Sequence, residues 1–335
     1  MGVGWVCEDT LWVIQHDSQQ TFRSGPLVVE KFHLFYAQRV KFSNVSAFSC
    51  WLAHRGKPNP NRADMLALSP LYRYSRSMIG FFIKKAFFDG WDNLIGIVIH
   101  NLGFLLVMLA FMGAVSLGEA SMALSLLAML LSLGLFSFFF AATASSTHSY
   151  SCYERGGFDG FKQGIRESWR HALLFWALLV LDITLILLVI PFYLSYGNMV
   201  GTILSVVLFW VFAGLSLAMM YFFPLFYQMR GDTPLKTLKK SFVILIDNLG
   251  FSFFQAIYQI VIFALSLFLA GLAPGVTGML LASSDATKLL MYKYDYLEEN
   301  PEANKKHIPW DELLYDEQES VGHRSFRNMI FPWKD

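Results

Sequence analysis

Few side chains in this 335-residue chain could do chemistry, and the most informative of them is Asp182. It lies in the middle of an otherwise apolar stretch, where an ionised carboxylate would cost roughly 2.5–3.5 kcal/mol inside a membrane. Two interpretations are open. Asp182 is a proton or cation site, or it is a structural acid that stays protonated and bonded to a neighbouring helix. The partners predicted for it are His100, Gln255, Gln259 and Lys288.

Two further pairs of polar residues lie within apolar stretches. His100 and Asn101 follow the start of one stretch by a turn or two, and polar groups in lipid often bridge helices. Bridging is the interpretation favoured over catalysis. Gln255 and Gln259 are four residues apart, so they share one helical face and are predicted to line the same groove.

A third pair, Asp285 and Lys288, is predicted to form an ion pair along one helix face. The sequence contains no GxSxG, HExxH, P-loop or GxGxxG motif. Its three cysteines (Cys7, Cys50 and Cys152) are far apart and form no CxxC pair. We therefore predict a protein that is not an enzyme, with no catalytic residues, no metal site and no cofactor.

Long runs without charged residues predict the helices that must position these polar side chains. No Asp, Glu, Lys or Arg occurs in 93–118, 121–153, 183–229 or 248–284. A membrane-spanning helix needs about 20 apolar residues. The runs predict five spans and a weaker sixth: Leu94–Val115, Met122–Ala142, Ala172–Leu194, Met199–Tyr221, Phe251–Leu272 and Val276–Tyr294.

The composition agrees with a membrane protein. Hydrophobic residues make up 55% of the chain and charged residues 15%, and the mean hydropathy is +0.44. Soluble domains carry roughly 25% charge, so an ordinary cytosolic enzyme is disfavoured. A disordered chain is excluded, because disorder needs low hydrophobicity. The net charge of +1 gives no argument for nucleic acid, and the predicted partner is the lipid bilayer.

Basic residues are distributed asymmetrically between the predicted loops. Lys and Arg are enriched in loops on the cytoplasmic side. The segments before spans 1, 3 and 5 each carry four, whereas the other three turns carry none: Arg73, Arg76, Lys84 and Lys85; Arg155, Lys162, Arg166 and Arg170; Arg230, Lys236, Lys239 and Lys240. This split predicts that both termini are cytoplasmic if the sixth span is real, and that the C-terminal tail faces outward if it is not.

The six spans form three hairpins, and a basic amphipathic segment precedes each one. These segments read FFIKKAFFDGWDNLIG, FDGFKQGIRESWRHA and TPLKTLKKSFVILIDNLG. Such segments can lie in the membrane interface with their Lys and Arg toward anionic headgroups. The words HNLGF (100–104) and DNLGF (247–251) add to the likeness of hairpins 1 and 3. The pattern predicts three related hairpins with interfacial elbow helices, although bilayer hairpins also resemble one another in composition alone.

The basic aromatic segment Phe158–Trp169 and the later Phe223-Pro224-Leu225 resemble the YesL-like family of small bacterial membrane proteins. The likeness covers roughly residues 78–296, and residues 1–77 and 298–335 depart from the pattern. The family has no established catalytic residues to carry over. Its members often accompany carbohydrate-uptake systems, so the resemblance implies an accessory role beside subunits of such a system in the bacterial inner membrane.

The two ends differ from the predicted transmembrane domain, 78–297. Residues 1–77 show no sustained period and no secretory signal. They are either a small cytoplasmic extension or the product of a start codon assigned too early, with Met65 or Met78 as the true start; the second interpretation is favoured.

The tail, 298–335, is acidic first and then basic and aromatic. It is either a solubilising tail or a cytoplasmic docking peptide, and its last segment could also fold back onto the membrane surface. Docking is suggested by four large rings: Trp310, Phe326, Phe331 and Trp333.

Together these patterns predict an all-α polytopic membrane protein with about six transmembrane helices. The function expected for it is that of a non-enzymatic accessory protein. The rival is a small transporter or channel with a polar path around Asp182. Transport predicts several intramembrane charges facing one cavity, whereas an accessory role predicts a filled core with aromatic outer faces.

Overall fold

The computed structural model describes residues 78–154, 158–303, 308–322 and 324, with Phe158 and Asp159 in backbone only. The leader, 1–77, lies outside the described residues. Within the described ranges every regular element is helical. The helices are α1, Met78–Asp92; α2, Leu94–Ser116; α3, Met122–Ser151; α4, Phe158–Thr184; α5, Ile190–Ser195; α6, Met199–Gln228; α7, Pro234–Asp247; α8, Leu249–Phe268; α9, Gly275–Glu299; α10, Trp310–Leu313; and α11, Tyr315–Val321.

Five of the predicted spans are helices long and apolar enough to cross a membrane. They occupy Leu94–Glu119, Met122–Ser151, Gly160–Ser195, Met199–Gln228 and Leu249–Phe268. The third consists of α4, a π-helical turn and α5. The outer faces of these helices are apolar, as expected where lipid is the solvent. The described chain is therefore an all-α polytopic membrane protein, as the charge-free runs predicted.

The sixth predicted span forms a helix, α9, but α9 is not among the five that are apolar enough to cross a membrane. It carries Asp285 and Lys288, and many of its other residues are small or polar. It packs against α1, α2, α3, α6 and α8, so most of its middle is buried by protein. Neighbouring helices therefore shield the polar residues that lower its hydropathy.

Two of the three predicted elbow segments are separate helices, α1 and α7. Each ends at an asparagine, Asn93 or Asn248, whose side chain donates to the carbonyl four residues back, Asp89 or Ile244. The second predicted elbow is wrong as a separate element, because α4 runs from Phe158 into the span without a break. That segment lacks the Asp-Asn-Leu sequence at which the other two helices end.

The same comparison corrects the match of HNLGF with DNLGF. Asn101 lies inside α2, seven residues beyond its first residue. The residue that corresponds to Asn248 is Asn93, because both stand at the junction between an elbow helix and a span. The likeness of hairpins 1 and 3 is therefore carried by residues 92–96 and 247–250.

Aromatic rings fill the space between α2, α3, α4 and α6. The ring centroids of Phe140 and Phe175 are 5.2 Å apart and nearly parallel, and Phe223 lies 4.9 Å from Phe175. On the other side of α3, Phe104 meets Phe139 edge to face at 4.7 Å. Each such pair contributes about 0.5–1.5 kcal/mol beyond its buried area. These aromatic contacts hold the first two hairpins together. The buried charged side chains of α1 and α9 lie outside this aromatic region.

Candidate functional site

Five charged side chains form a buried cluster where α1, α9 and α11 meet the last turn of α3. The charged cluster consists of Lys85 and Asp89 on α1, Asp285 and Lys288 on α9, and Glu317 on α11. The side chains of Lys85 and Asp285 are fully buried, and that of Lys288 is 13% exposed. Charges this deep are retained only where partners compensate their lost hydration.

The Glu317 carboxylate is the best-partnered group of the cluster. Its Oε1 lies 2.6 Å from the Lys288 ammonium and accepts a hydrogen bond from the Tyr292 hydroxyl at 2.8 Å. Its Oε2 accepts one from the Tyr153 hydroxyl at 2.9 Å and lies 3.2 Å from the Lys85 ammonium. Charge-assisted bonds of this kind are about twice as strong as neutral ones, so Glu317 anchors the C-terminal segment.

The end of α3 supplies both lysines with a carbonyl. The chain closes this helix with a Schellman motif, in which Glu154 N–H donates to the Ser149 carbonyl and Tyr153 N–H to that of Tyr150. The Ser151 carbonyl then accepts from Lys85 at 3.2 Å and from Lys288 at 2.9 Å. Cations are favoured at a helix C-terminus, because the helix dipole is negative there.

Tyr153 occupies the left-handed position of that motif, at φ 61°, which is usually glycine. A side chain there costs roughly 1–2 kcal/mol. In return, its hydroxyl accepts a hydrogen bond from Lys85 at 2.9 Å and donates to Glu317. The ammonium of Lys85 also lies 4.1 Å from the centre of the tyrosine ring. The strained residue thus joins α1 to α11.

Asp285 is the least satisfied member of the cluster. Its side chain is fully buried, and neither carboxyl oxygen accepts a hydrogen bond. The closest ammonium, that of Lys85, is 3.7 Å from Oδ1. Lys85 instead donates to Asp89 at 2.7 Å, one helical turn away on α1. Asp89 and Asp285 therefore compete for one cation, and Asp89 holds the shorter contact.

The shifts of pKa outside the spans follow from this arrangement. Burial alone would lower the pKa of Lys85, but the carboxylates of Asp285, Glu317 and Asp89 outweigh it and hold that pKa well above its usual range. Burial would raise the pKa of Glu317, but Lys288 and Lys85 lower it to about 2. Burial raises the pKa of Asp89, because desolvation exceeds the attraction of Lys85.

The structure places two of the predicted polar residues, Asp285 and Lys288, in the charged cluster, but not as the predicted pair. Each instead has a closer partner on another helix, Lys85 for Asp285 and Glu317 for Lys288. The cause is the position of α1 and α11, which bring opposite charges to α9 from outside it. Sequence reasoning counted Glu317 only among the acidic residues of the tail, and Lys85 only as a marker of topology.

Asp182 lies away from the charged cluster, and its predicted partners are wrong. Its Oδ2 accepts a hydrogen bond from the Ser216 hydroxyl on α6 at 2.6 Å. Its Oδ1 is buried and has no hydrogen-bond partner. Asp182 is nevertheless bonded to a neighbouring helix, which is what its structural interpretation predicts.

The two glutamines lie on one face of α8, and both bind α9. Gln255 donates to the Ser283 hydroxyl at 3.2 Å and Gln259 to the same hydroxyl at 2.9 Å. Gln259 also donates to the Met279 carbonyl at 2.8 Å. Their position is the shared groove that their spacing predicted, and α9 fills it.

His100 and Asn101, the two adjacent polar residues on α2, make different kinds of contact. The ring of His100 bonds the Gly96 carbonyl of its own helix and lies 5.7 Å from the ring of Phe161 on α4. Asn101 bridges helices: it donates to the carbonyls of Leu272 and Pro274 and accepts from Thr277. Asn101 thereby caps the first turn of α9.

The C-terminal segment folds back onto the helical domain. Trp310 packs against the hydrophobic cluster that contains Leu314 and Val321, which are almost fully buried. Trp310 is only partly buried there, so its own domain covers part of the side chain, and the docking of a partner at Trp310 stays a prediction. The other predicted docking rings, Phe326, Phe331 and Trp333, lie outside the described residues.

A cavity beside the N-terminal end of α2 is lined by none of the five residues of the charged cluster. Its volume is about 510 Å³, and it lies where α1 ends and α2 begins, lined by Trp91, Asp92, Asn93, Leu94, Ile95, Gly96 and Tyr150. In the described part of the chain, no group of three or more His, Cys, Asp or Glu is placed to hold a metal ion.

These features define the class of the protein: a multi-pass helical membrane protein whose central helix carries buried charge. No family model, curated protein or solved structure matches the chain.

Proposed function

We propose that this protein is a non-enzymatic accessory protein of the bacterial inner membrane, with both termini in the cytoplasm. It binds subunits of a carbohydrate-uptake system through the outer faces of its helices. The partner class comes from the resemblance of Phe158–Trp169 and Phe223–Leu225 to the YesL-like family.

The observation that carries the proposal is the filled core. Transport requires polar groups that face one cavity, but Asp182 lies away from the charged cluster and bonds Ser216 on α6. Phe140, Phe175 and Phe223 occupy the centre of the first two hairpins. The charged cluster is closed by contacts within itself. A core packed in this way supports a binding role, because aromatic rings occupy the space that a solute would need between the first two hairpins.

The surface offered to partners is apolar and partly aromatic. On α6, Trp210 is 63% exposed and Phe209 47% exposed. At the end of α8, Phe268 is 88% exposed. Helices associate in lipid through van der Waals packing and interhelical hydrogen bonds, because the hydrophobic effect gives no driving force between them there. Large exposed rings therefore suit either lipid or the helices of a second protein.

Co-purification from gently solubilised membranes tests the proposal. We expect subunits of an uptake system to elute with the tagged full chain at a constant ratio. Alanine replacements at Leu106, Trp210 and Phe263 scan the exposed faces of α2, α6 and α8. At least one should release the partner while the melting temperature in detergent stays unchanged. Retention of no membrane protein above the level of an unrelated tagged control would overturn the proposal.

A small transporter or channel is the second candidate, because Asp182 Oδ1 is buried without a hydrogen bond. That candidate predicts flux of protons or small cations through the purified protein in liposomes. Asp182→Asn should then abolish the flux and leave the fold intact. Liposomes that are no leakier than protein-free ones would exclude it.

A further inference from the structure

The charged cluster contains an odd number of charges. Three carboxyl groups, those of Asp89, Asp285 and Glu317, face only two ammonium groups, those of Lys85 and Lys288. If all five were ionised, the cluster would hold one uncompensated negative charge away from water. An unpaired buried charge costs several kcal/mol, and such groups neutralise instead.

The contacts show which carboxyl group can lose its charge. Glu317 is held by two ammonium groups and two hydroxyls, which all favour the carboxylate form. Asp89 and Asp285 share the remaining contacts of Lys85, at 2.7 and 3.7 Å. The two carboxyl groups therefore converge on one ammonium group, from α1 and from α9. An excess proton between them would supply the donor that Asp285 lacks.

We propose that Asp89 and Asp285 form a proton-binding site, in which the two carboxyl groups hold one proton between them. The site lies between α1 and α9, beside the C-terminal end of α3. A metal cation is a poorer occupant than a proton, because the ammonium groups of Lys85 and Lys288 repel it at short range. The proton makes the charged cluster neutral without displacing either lysine.

Several of the elements packed around the site contribute titratable groups that could compete for this proton. The groups are Lys85 on α1, Tyr258 on α8, Lys288 and Tyr292 on α9, Glu317 on α11, His148 near the end of α3 and Tyr153 just after it. The Tyr153 and Tyr292 hydroxyls donate hydrogen bonds to Glu317 and so keep their own protons. Lys85 stays charged, because three carboxyl groups face it, and Lys288 is bound to the Glu317 carboxylate at 2.6 Å. We place the shared proton on the aspartate pair, because Asp285 is the carboxyl group of the cluster that accepts no hydrogen bond.

Infrared spectroscopy of the purified full chain in detergent tests the site. A protonated carboxyl group has a C=O stretching band distinct from that of a carboxylate, and the band shifts in D₂O. We expect the wild-type protein to show such a band near neutral pH and Asp285→Asn to lose it. Asp182→Asn is the matched control: it removes any band that Asp182 contributes and leaves the one from the pair.

Asp89→Asn gives a second, independent test. This change leaves two ammonium groups facing two carboxylates, so Asp285 should ionise and the band of the pair should again vanish. Bands that are unchanged in Asp285→Asn would overturn the proposal, because Asp285 would then be ionised in the wild-type protein. Wild-type spectra with no protonated-carboxyl band would overturn it as well.

Stability provides a readout that does not depend on assigning bands. Asparagine mimics a neutral acid, so the melting temperature of Asp285→Asn near pH 6 should stay within a few degrees of wild type. As pH rises, wild type should lose stability relative to Asp285→Asn, because removing the proton creates an unpaired buried charge. Failure of Asp285→Asn to fold, or a difference that is constant with pH, would contradict the proton site.

Discussion

Asn101 on α2 and Gly275 at the first position of α9 are in such close contact that a methyl group on Gly275 would stand 2.2 Å from Asn101 Nδ2. Gly275 also has φ 59°, in the left-handed region that glycine adopts without cost. The Asn101 side chain can therefore reach the Leu272 and Pro274 carbonyls and the Thr277 N–H at once. This contact positions the start of the helix that carries Asp285 and Lys288.

Gly275→Ala should destabilise the protein strongly. A β-carbon at position 275 makes the left-handed backbone conformation unfavourable by roughly 1–2 kcal/mol and also collides with the Asn101 side chain. Gly197→Ala is the matched control, because Gly197 has φ 62° and nothing within 4 Å of the added carbon. We expect the loss of melting temperature in detergent to be at least twice as large for Gly275→Ala. Equal losses would show that the contact with Asn101 contributes nothing.

Asp182→Asn should leave stability almost unchanged if Asp182 is a neutral structural acid. Its amide keeps the shape and can still accept the hydrogen bond from Ser216. Asp182→Leu strands that hydroxyl, and interhelical hydrogen bonds in membranes are worth about 0.6–2 kcal/mol. Leu should therefore lower the melting temperature modestly, and Ser216→Ala should remove most of the difference between Asn and Leu. A fall as large for Asn as for Leu would indicate an ionised Asp182.

Glu317 makes stability depend on acidity. Its pKa falls from 4.5 to about 2 on folding, mainly because Lys288 and Lys85 outweigh the effect of burial. The stabilisation is present above about pH 4.5 and is lost as pH falls toward 2. It is on the order of 3 kcal/mol, since one pKa unit corresponds to about 1.4 kcal/mol.

Glu317→Gln should abolish that acid-sensitive stabilisation. Glu319→Gln, on the exposed side of the same helix, is the matched control and should behave like wild type. Thermal melts in detergent between pH 6 and pH 3 measure both variants. If wild type and Glu317→Gln lose stability in parallel over that range, Glu317 is not the group responsible.

The asymmetry of Lys and Arg predicts the topology. A reporter that is active only outside the membrane should work when fused at Asn198, in a turn without basic residues. The same reporter should be silent at Arg230, beside Lys236, Lys239 and Lys240. The reverse pattern would show that the orientation is inverted. A fusion after Asp335 tests whether α9 completes a crossing, because activity there would place the tail outside.

Residues 1–77 are predicted to be unnecessary for membrane insertion, because they contain no apolar span. A chain that starts at Met78 should accumulate in the membrane like the full chain. Quantitative blotting of membrane fractions measures this, and a chain that starts at Met122, without α1 and α2, should accumulate poorly. Loss of the Met78 chain from the membrane would show that the leader is structural.

Five spans could be predicted from the sequence, because a run of about 20 apolar residues without charge is typical of a helix surrounded by lipid. The elbow helices were only partly predictable. Amphipathic spacing is the same in α4 as in α1 and α7, and a local Asp-Asn-Leu decides whether the helix breaks. The turn before α9 could not be predicted from a local pattern either. Position 275 needs glycine because of its contact with Asn101, which lies more than 170 residues earlier in the chain.

The amino-acid sequence by itself predicted that this chain spans a membrane, roughly where its apolar helices begin and end, and which turns carry the positive charge. Only the tertiary structure decided which charges meet. Lys85 and Glu317 are 232 residues apart, and no periodicity relates them. Whether a segment is buried in lipid follows from the composition of about 20 consecutive residues. An ion pair depends instead on the relative positions of two helices, which the packing of the three hairpins sets. The aspartate pair therefore becomes a candidate site only in the folded protein.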